Sequence, residues 1–108
     1  RQLRPPALDE LSFKEALHHL LNEFAFAERG IRYRFDYRLT TTPESETVRF
    51  TLYRLLQELL NNVCKHADAS EVSVLLCQHD NQLRLEVRDN GSGISPQQMP
   101  WVSPSGIW

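Results

Sequence analysis

The spacing between apolar residues changes several times along this chain, and the order of those changes restricts the fold more than any other feature. After Ser12, apolar residues recur with helical period at positions 13, 16, 17, 20, 21 and 24. Ser12 and Glu15 have the spacing of a capping box, and Gly30 is a suitable stop because glycine adopts the left-handed conformation without steric cost. Apolar and polar residues then alternate strictly from Ile31 to Leu39, which predicts a strand with one buried face and one wet face.

A second helix and two further strands follow this alternation. An apolar stripe predicts a long helix from about Ser45 to Ala67. Residues 72–77 and 83–88 alternate again, and the short link from His79 to Gln82 indicates an antiparallel hairpin. Two helices on one side of three strands predict an α+β fold, arranged as a two-layer α/β sandwich.

Composition limits the class of protein. The 108 residues (12.6 kDa) predict one domain, and 41% hydrophobic with 24% charged residues is ordinary for a globular domain. A net charge of −2 argues against a protein held to nucleic acid by bulk charge. No apolar run approaches the roughly twenty residues of a membrane span. Cys64 and Cys77 are expected to be reduced thiols in a cytosolic setting.

A line of polar residues accompanies the apolar stripe of the second helix. Glu58, Asn62 and Lys65 are spaced i, i+4, i+7 and share one side of the helix, while His66 falls on the stripe itself. A carboxylate, an amide and an ammonium at the margin of a core are well placed to line a cleft. The alternative is an ordinary solvated face, which is common on surface helices.

An acidic residue ends the last predicted strand. Asp89 continues the face of Leu83, Leu85 and Val87, so it lies on the side that faces the helices. A carboxylate there needs a partner, because an unpaired buried charge is costly. Gly91 and Gly93 then allow the backbone to approach a ligand closely. The alternative is a simple turn, for which Asp-Asn-Gly is a strong signal.

Taken together, these two segments resemble the ATP-binding domain of sensor histidine kinases, whose fold is shared with gyrase, Hsp90 and MutL. Residues 57–69 resemble the N box in its Glu-x-x-x-Asn-x-x-Lys-His-Ala form, and residues 89–93 resemble the G1 box, Asp-x-Gly-x-Gly. That form of the N box marks the subfamily of nitrate and hexose-phosphate sensors. The sequence of the long helix is most similar to that of hexose-phosphate uptake sensors. The opening, Leu3 to Asp9, resembles the junction that leads from the dimerisation helices into this domain.

The resemblance implies a role for each polar residue. Asn62 would hold Mg²⁺ through its amide oxygen, and Glu58 would be the catalytic base or the carboxylate that positions water. Lys65 would meet the phosphates of ATP, assisted by His66. Asp89 would accept a hydrogen bond from the adenine 6-amino group. Three glycines are implied to serve ATP binding in the loops that follow, namely Gly91, Gly93 and Gly106.

The resemblance also implies partners that lie outside this chain. The kinase would pass the γ-phosphoryl group of ATP to a histidine on the dimerisation domain and then to a response regulator. The intact sensor would be anchored in the inner membrane, with this domain in the cytoplasm. His18 and His19 lack the Arg-rich His-Asp motif of the phosphoacceptor, so we expect this chain to bind ATP without phosphorylating itself.

The end of the chain predicts an incomplete domain. Residues 94–108 correspond to the lid and the start of the G2 box, with Pro104 where the first glycine usually stands. The final helix and last two strands of the family are expected to be missing, so the domain is expected to be truncated at its C terminus. An unfinished sheet exposes strand edges, which predicts self-association or a partly disordered tail.

Other interpretations are disfavoured by the same residues. Cys64 and His66, like Cys77 and His79, have Cys-x-His spacing, but residues i and i+2 on a helix point about 200° apart and do not easily share a zinc ion. A non-catalytic module that docks partners without ATP turnover remains open, although a degenerate module would more often have lost one of the motif residues. A nucleic-acid role is weak, because the arginines on the first strand are typical of a solvated face.

Overall fold

The computed structural model describes residues 12–66, 69–91 and 97–98; the side chains of His66, Gln97 and Gln98 are outside the description. In chain order the elements are α1 (Phe13–Glu23), a 3-10 helix (Ala27–Arg29), β1 (Arg32–Arg38), α2 (Glu46–His66), β2 (Glu71–His79), β3 (Gln82–Asp89) and β4 (Gln97–Gln98). The predicted helix–strand–helix–strand–strand order is therefore confirmed. Sheet pairing at residues 97–98 adds a short fourth strand that the sequence pattern did not predict.

The sheet is mixed and has the strand order β1-β2-β3-β4. Strands β1 and β2 are parallel, and α2 forms the connection between them. The pairs β2–β3 and β3–β4 are antiparallel. Both helices pack on the same face of the sheet, since Phe13 of α1 contacts Tyr37 of β1 and α2 packs against β3. The two-layer α+β arrangement predicted from the periods is confirmed.

The core lies between the helices and this face of the sheet. The stripe of α2 supplies Val48, Leu52, Leu56, Leu60 and Val63, each at most 2% exposed. Facing them are the inward residues of the hairpin, which are Val72, Val74, Leu76, Leu83, Leu85 and Val87. The alternation along the hairpin strands therefore matches the buried side of each strand, as expected for a sheet with one covered face.

Local capping explains where the helices start. The Ser12 hydroxyl accepts a hydrogen bond from the Glu15 N–H at 3.2 Å, as the capping box predicts. The Glu15 carboxylate accepts a hydrogen bond from the Ser12 hydroxyl at 2.8 Å. Helix α2 begins after Ser45, whose hydroxyl accepts from the Val48 N–H at 3.2 Å. The predicted start of α2 at Ser45 is one residue before the observed start at Glu46, and the predicted end at Ala67 lies outside the described residues.

Helix α1 ends earlier than the apolar period suggests. It stops at Glu23, and Ala25 adopts a left-handed backbone with φ +52°. The chain then forms the 3-10 turn, which Gly30 terminates in the predicted left-handed conformation with φ +75°. This reversal places Phe26 in the core, only 1% exposed, at a position that lies off the helical stripe. Burial of that aromatic ring outweighs continuation of the helix.

The two hairpin strands meet the prediction more fully than β1 does. Asp80 and Asn81 form a two-residue turn with φ values of +48° and +63°, the backbone that a tight hairpin requires. In β1, by contrast, Tyr33 is 38% exposed, and Phe35 and Tyr37 are half-buried. The face of β1 that was predicted to be buried is therefore only partly buried, because β1 lies at the edge of the sheet. Within the described ranges, no helix is both long and apolar enough to serve as a membrane span.

Candidate functional site

The polar line on α2 lies at the border between core and solvent. Asn62 is half-buried, whereas Glu58 and Lys65 are exposed. The neighbouring residues Leu59 and Val63 are buried, so the polar line flanks the apolar stripe as the spacing predicts. The backbone of His66 ends the helix, one residue beyond Lys65.

Asp89 is placed on the same side of the sheet as α2. It is the last residue of β3 and pairs with Val72 of β2. Alternation along β3 turns its side chain to the face of the buried residues Leu85 and Val87. Because α2 packs against β3, the side chain of Asp89 turns toward the layer that carries the polar line of α2.

The two carboxylate oxygens of Asp89 are in different situations. Oδ1 accepts a hydrogen bond from the Gly91 N–H at 2.8 Å, which shapes the start of the loop. Oδ2 is buried and has no hydrogen-bond partner among the residues that the structure describes. Buried polar atoms are almost always paired, and a buried acceptor left without a donor costs about 1–3 kcal/mol, or more when it is charged. Oδ2 is therefore a buried acceptor that could take a hydrogen bond from a ligand, for example from an exocyclic amino group.

Asn90 is a positioning residue that sequence reasoning did not single out. Its Oδ1 accepts hydrogen bonds from the N–H groups of Ser70 and Glu71, both at 2.9 Å. Its Nδ2 donates to the Ser70 hydroxyl at 3.0 Å, and Ser70 O in turn accepts from the Arg32 N–H. These bonds fix the start of the loop after Asp89 to the entry of β2. These bonds join residues about twenty positions apart, so no local sequence signal indicated the clamp.

The donor set also suits a magnesium-bound triphosphate. Asn62 and Glu58, one helical turn apart, offer an amide oxygen and a carboxylate, the hard oxygen ligands that Mg²⁺ prefers. Lys65 adds a positive charge on the same side of the helix for phosphate oxygens. No group of three or more His, Cys, Asp or Glu side chains in the described part of the chain is arranged to hold a metal ion by itself.

Some predicted site residues fall outside this description. The structure describes Gly91 at the start of the loop, whereas Gly93 and Gly106 lie outside the described residues. The same holds for the side chain of His66 and for the predicted lid and G2 region, apart from residues 97–98.

Comparison with known proteins identifies a family and several relatives. Residues 47–105 match the model of the family described as histidine kinase-, DNA gyrase B-, and HSP90-like ATPase. The signal transduction histidine-protein kinase/phosphatase UhpB of Salmonella typhimurium is 44% identical over 95 residues, which are 88% of this chain and 19% of that protein.

Two further relatives come from other bacteria. The sensor histidine kinase LiaS of Bacillus subtilis is 40% identical over 97 residues, covering 90% of this chain and 26% of that protein. The sensor histidine kinase MctS of Rhizobium johnstonii is 40% identical over 92 residues, covering 84% of this chain and 20% of that protein. The chain thus spans about a fifth to a quarter of the length of these relatives.

Proposed function

This chain belongs to the family of histidine kinase-, DNA gyrase B- and HSP90-like ATPases, as the ATP-binding domain of a sensor histidine kinase, and on that premise we propose that it binds Mg-ATP. The nucleotide would lie between α2 and the end of β3. The bound Mg²⁺ would supply charge neutralisation for the phosphates of ATP.

The observation that carries this proposal is the buried Oδ2 of Asp89, which lacks a partner among the described residues. Adenine presents a 6-amino group, which is a planar donor that can pair with a carboxylate oxygen. A hydrogen bond to a charged acceptor is stronger than a neutral one, and it distinguishes adenine from a base with an acceptor at that position. The bond between Oδ1 and the Gly91 N–H holds the carboxylate in orientation for that contact.

The polar line of α2 supports the phosphate end of the same ligand. Asn62 at the border of the core would bind Mg²⁺ through its amide oxygen, and exposed Lys65 would pair with phosphate oxygens. Glu58, one turn before Asn62, would act as the base or position the attacked group. His66, Gly91, Gly93 and Gly106 would complete the nucleotide-binding residues.

The larger role follows from the relatives. We propose that the intact protein is a two-component sensor, which transfers the γ-phosphoryl group to a histidine on its dimerisation domain and then to a response regulator. We further propose an inner-membrane sensor with this domain on the cytoplasmic side. His19 contacts Glu23 at 3.7 Å and His18 packs against Phe35, which supports ordinary helix roles for both histidines.

The test is a calorimetric titration of the 108-residue chain with a non-hydrolysable ATP analogue, with and without Mg²⁺. Asn62→Ala should remove most of the Mg²⁺-dependent gain in affinity. Asn61→Ala is a matched control, because Asn61 is also a half-buried amide of α2 but lies about 100° away around the helix. Asn61→Ala should keep the Mg²⁺-dependent gain.

Equal behaviour of the two variants would refute the role of Asn62. If the folded chain does not bind the analogue, the titration is repeated on a longer version of the protein that extends beyond residue 108. Failure of the longer protein would refute nucleotide binding and favour the non-catalytic docking module instead.

A further inference from the structure

A cavity of about 430 Å³ is bordered by β1, β2 and the end of β3. Its described lining consists of three consecutive residues each from β1 and β2, the last two residues of β3 and the following Asn90, and it includes no residue of α1 or α2. The middle residues, Tyr33, Val72 and Asp89, are paired across the strands and turn their side chains to the helix layer. The residues on either side of them turn to the open face and form the two walls.

The walls are two rows of side chains that the sheet register aligns. In one row, Arg34 lies opposite Ser73, and Ser73 lies opposite Arg88. In the other row, Arg32 lies opposite Glu71. Rows on one face are two residues apart along each strand, which corresponds to about 6.7 Å. A small polar group therefore fits between the rows, with the strand backbones as its floor.

The charges in this cleft are unequally compensated. Arg32 forms an ion pair with Glu71. Arg88 Nε donates a hydrogen bond to Glu86 Oε1 at 2.6 Å, and that carboxylate lies in the next row and is only 6% exposed. Arg34 is exposed and forms no ion pair or hydrogen bond with any residue in the described part of the chain. Two of the three guanidinium groups in the walls are thus paired with carboxylates, and the charge of Arg34 has no such partner among the described residues.

We propose that this cleft, defined by Arg32, Arg34, Ser73 and Arg88, is a binding site for a phosphate-type oxyanion. Guanidinium groups bind such oxyanions through two parallel N–H donors, and Arg34 has both available. Ser73 offers a hydroxyl donor between Arg34 and Arg88, while Arg32 approaches from the opposite wall. A tetrahedral oxyanion can accept from all of these directions, whereas a planar carboxylate is satisfied by one or two guanidinium forks.

The proposed anion site is independent of the proposed nucleotide site. Asp89 lines the cleft, but its side chain turns to the helix layer, and Lys65 and Asn62 do not line the cleft. An anion held by Arg34 and Ser73 on the open face therefore uses none of the side chains assigned to ATP. Loss of one site by mutation should leave the other intact.

The experiment is a titration of the ¹⁵N-labelled chain with inorganic phosphate, followed by NMR at the amides of Arg34 and Ser73. Arg34→Gln should weaken phosphate binding about tenfold or more, because one charge-assisted bidentate contact is lost. Arg38→Gln is the matched control, since Arg38 lies on the same face of β1, about 13 Å away, and pairs with Asp36. It makes the same change in net charge and should leave phosphate binding within about twofold of the wild type.

Three outcomes would overturn the proposal: no saturable change at Arg34 and Ser73, an equal loss in both variants, or changes confined to Asn62 and Lys65. The first means no site, the second means unspecific surface charge, and the third means binding at the nucleotide site. Arg34 forms no ion pair or hydrogen bond with a described residue, so its replacement by glutamine should not disturb the fold. The amide spectrum of the variant, compared with that of the wild type, checks this.

A second arm identifies where the phosphate group comes from. The chain is sedimented with vesicles of phosphatidylcholine, with and without phosphatidic acid. Sedimentation that requires both phosphatidic acid and Arg34 would assign the site to a lipid headgroup. Phosphate binding without such sedimentation would assign it to a soluble phosphate compound.

Discussion

Replacement of Asp89 by asparagine should change ATP binding and folding stability in opposite directions. Asparagine keeps one oxygen, which can continue to accept the hydrogen bond from the Gly91 N–H at 2.8 Å. An NH₂ group then takes the place of the buried Oδ2, which has no described partner. That NH₂ group is a donor, so it would face the 6-amino donor of adenine and could not pair with it.

The two effects can be estimated separately. A hydrogen bond to a charged acceptor contributes about 1.5–3 kcal/mol, so its loss should weaken the ATP analogue about tenfold to a hundredfold. In the free domain, removal of an unpaired carboxylate charge should stabilise the fold. We expect a gain of about 1 kcal/mol, the low end of the usual range, since Asp89 as a whole is half-buried and the new NH₂ group also lacks a partner. For a domain of this size that gain raises Tm by about 5 °C.

The measurements are calorimetry with a non-hydrolysable ATP analogue and urea unfolding of the free chain. Asp36→Asn is the matched control, because Asp36 undergoes the same chemical change but lies on the open face and pairs with Arg38 at 2.9 Å. It should bind the analogue normally and be no more stable than the wild type. A fall in the stability of Asp89→Asn would show that the carboxylate is structural, and unchanged affinity would refute the adenine contact.

Two further predictions concern stability. Asn90→Ala should lower the free energy of unfolding by about 1–2 kcal/mol in urea titrations, because the N–H groups of Ser70 and Glu71 lose their acceptor; a loss below about 0.5 kcal/mol would contradict the clamp. Burial is the main cause that raises the pKa of Tyr53 above its usual value of 10.0, and the negative charge of Glu23 adds to it. The unfolded chain therefore releases this proton first, so stability should fall as pH rises above about 10, and Tyr53→Phe should reduce that fall in urea midpoints measured across alkaline pH. Parallel pH profiles of the two proteins would contradict the assignment.

Features set by local spacing were predictable from the sequence. The capping serine at position 12, the hairpin turn between His79 and Gln82, and the left-handed Gly30 all appear where the residues indicate. The helix-facing position of Asp89 follows from strand alternation in the same way. Each of these depends on neighbours within a few residues, where backbone sterics and side-chain hydrogen bonds dominate.

Features set by distant contacts were not predictable. Helix α1 ends at Glu23 because Phe26 packs into the core. The helical period of the sequence does not show that burial of Phe26 is favoured over continuation of the helix. Glu86 occupies a position that alternation assigns to the open face, yet it is only 6% exposed because Arg84 and Arg88 lie over it. The hydrogen bonds of Asn90 join residues about twenty positions apart, so no short motif encodes them.

The connectivity of the sheet has a consequence for the order in which the proposed site assembles. Strands β2 and β3 are joined by a two-residue turn, so the hairpin that carries Asp89 closes through local contacts. The pairing of β1 with β2 joins residues 39 positions apart and must wait for the intervening helix. Because loop-closure entropy delays such distant pairings, we expect the hairpin to form early and the edge strand to dock late. The arginine cleft needs both the hairpin and the edge strand, so it would form only in the fully folded state. Asp89, the proposed acceptor for adenine, would already be in place in the hairpin.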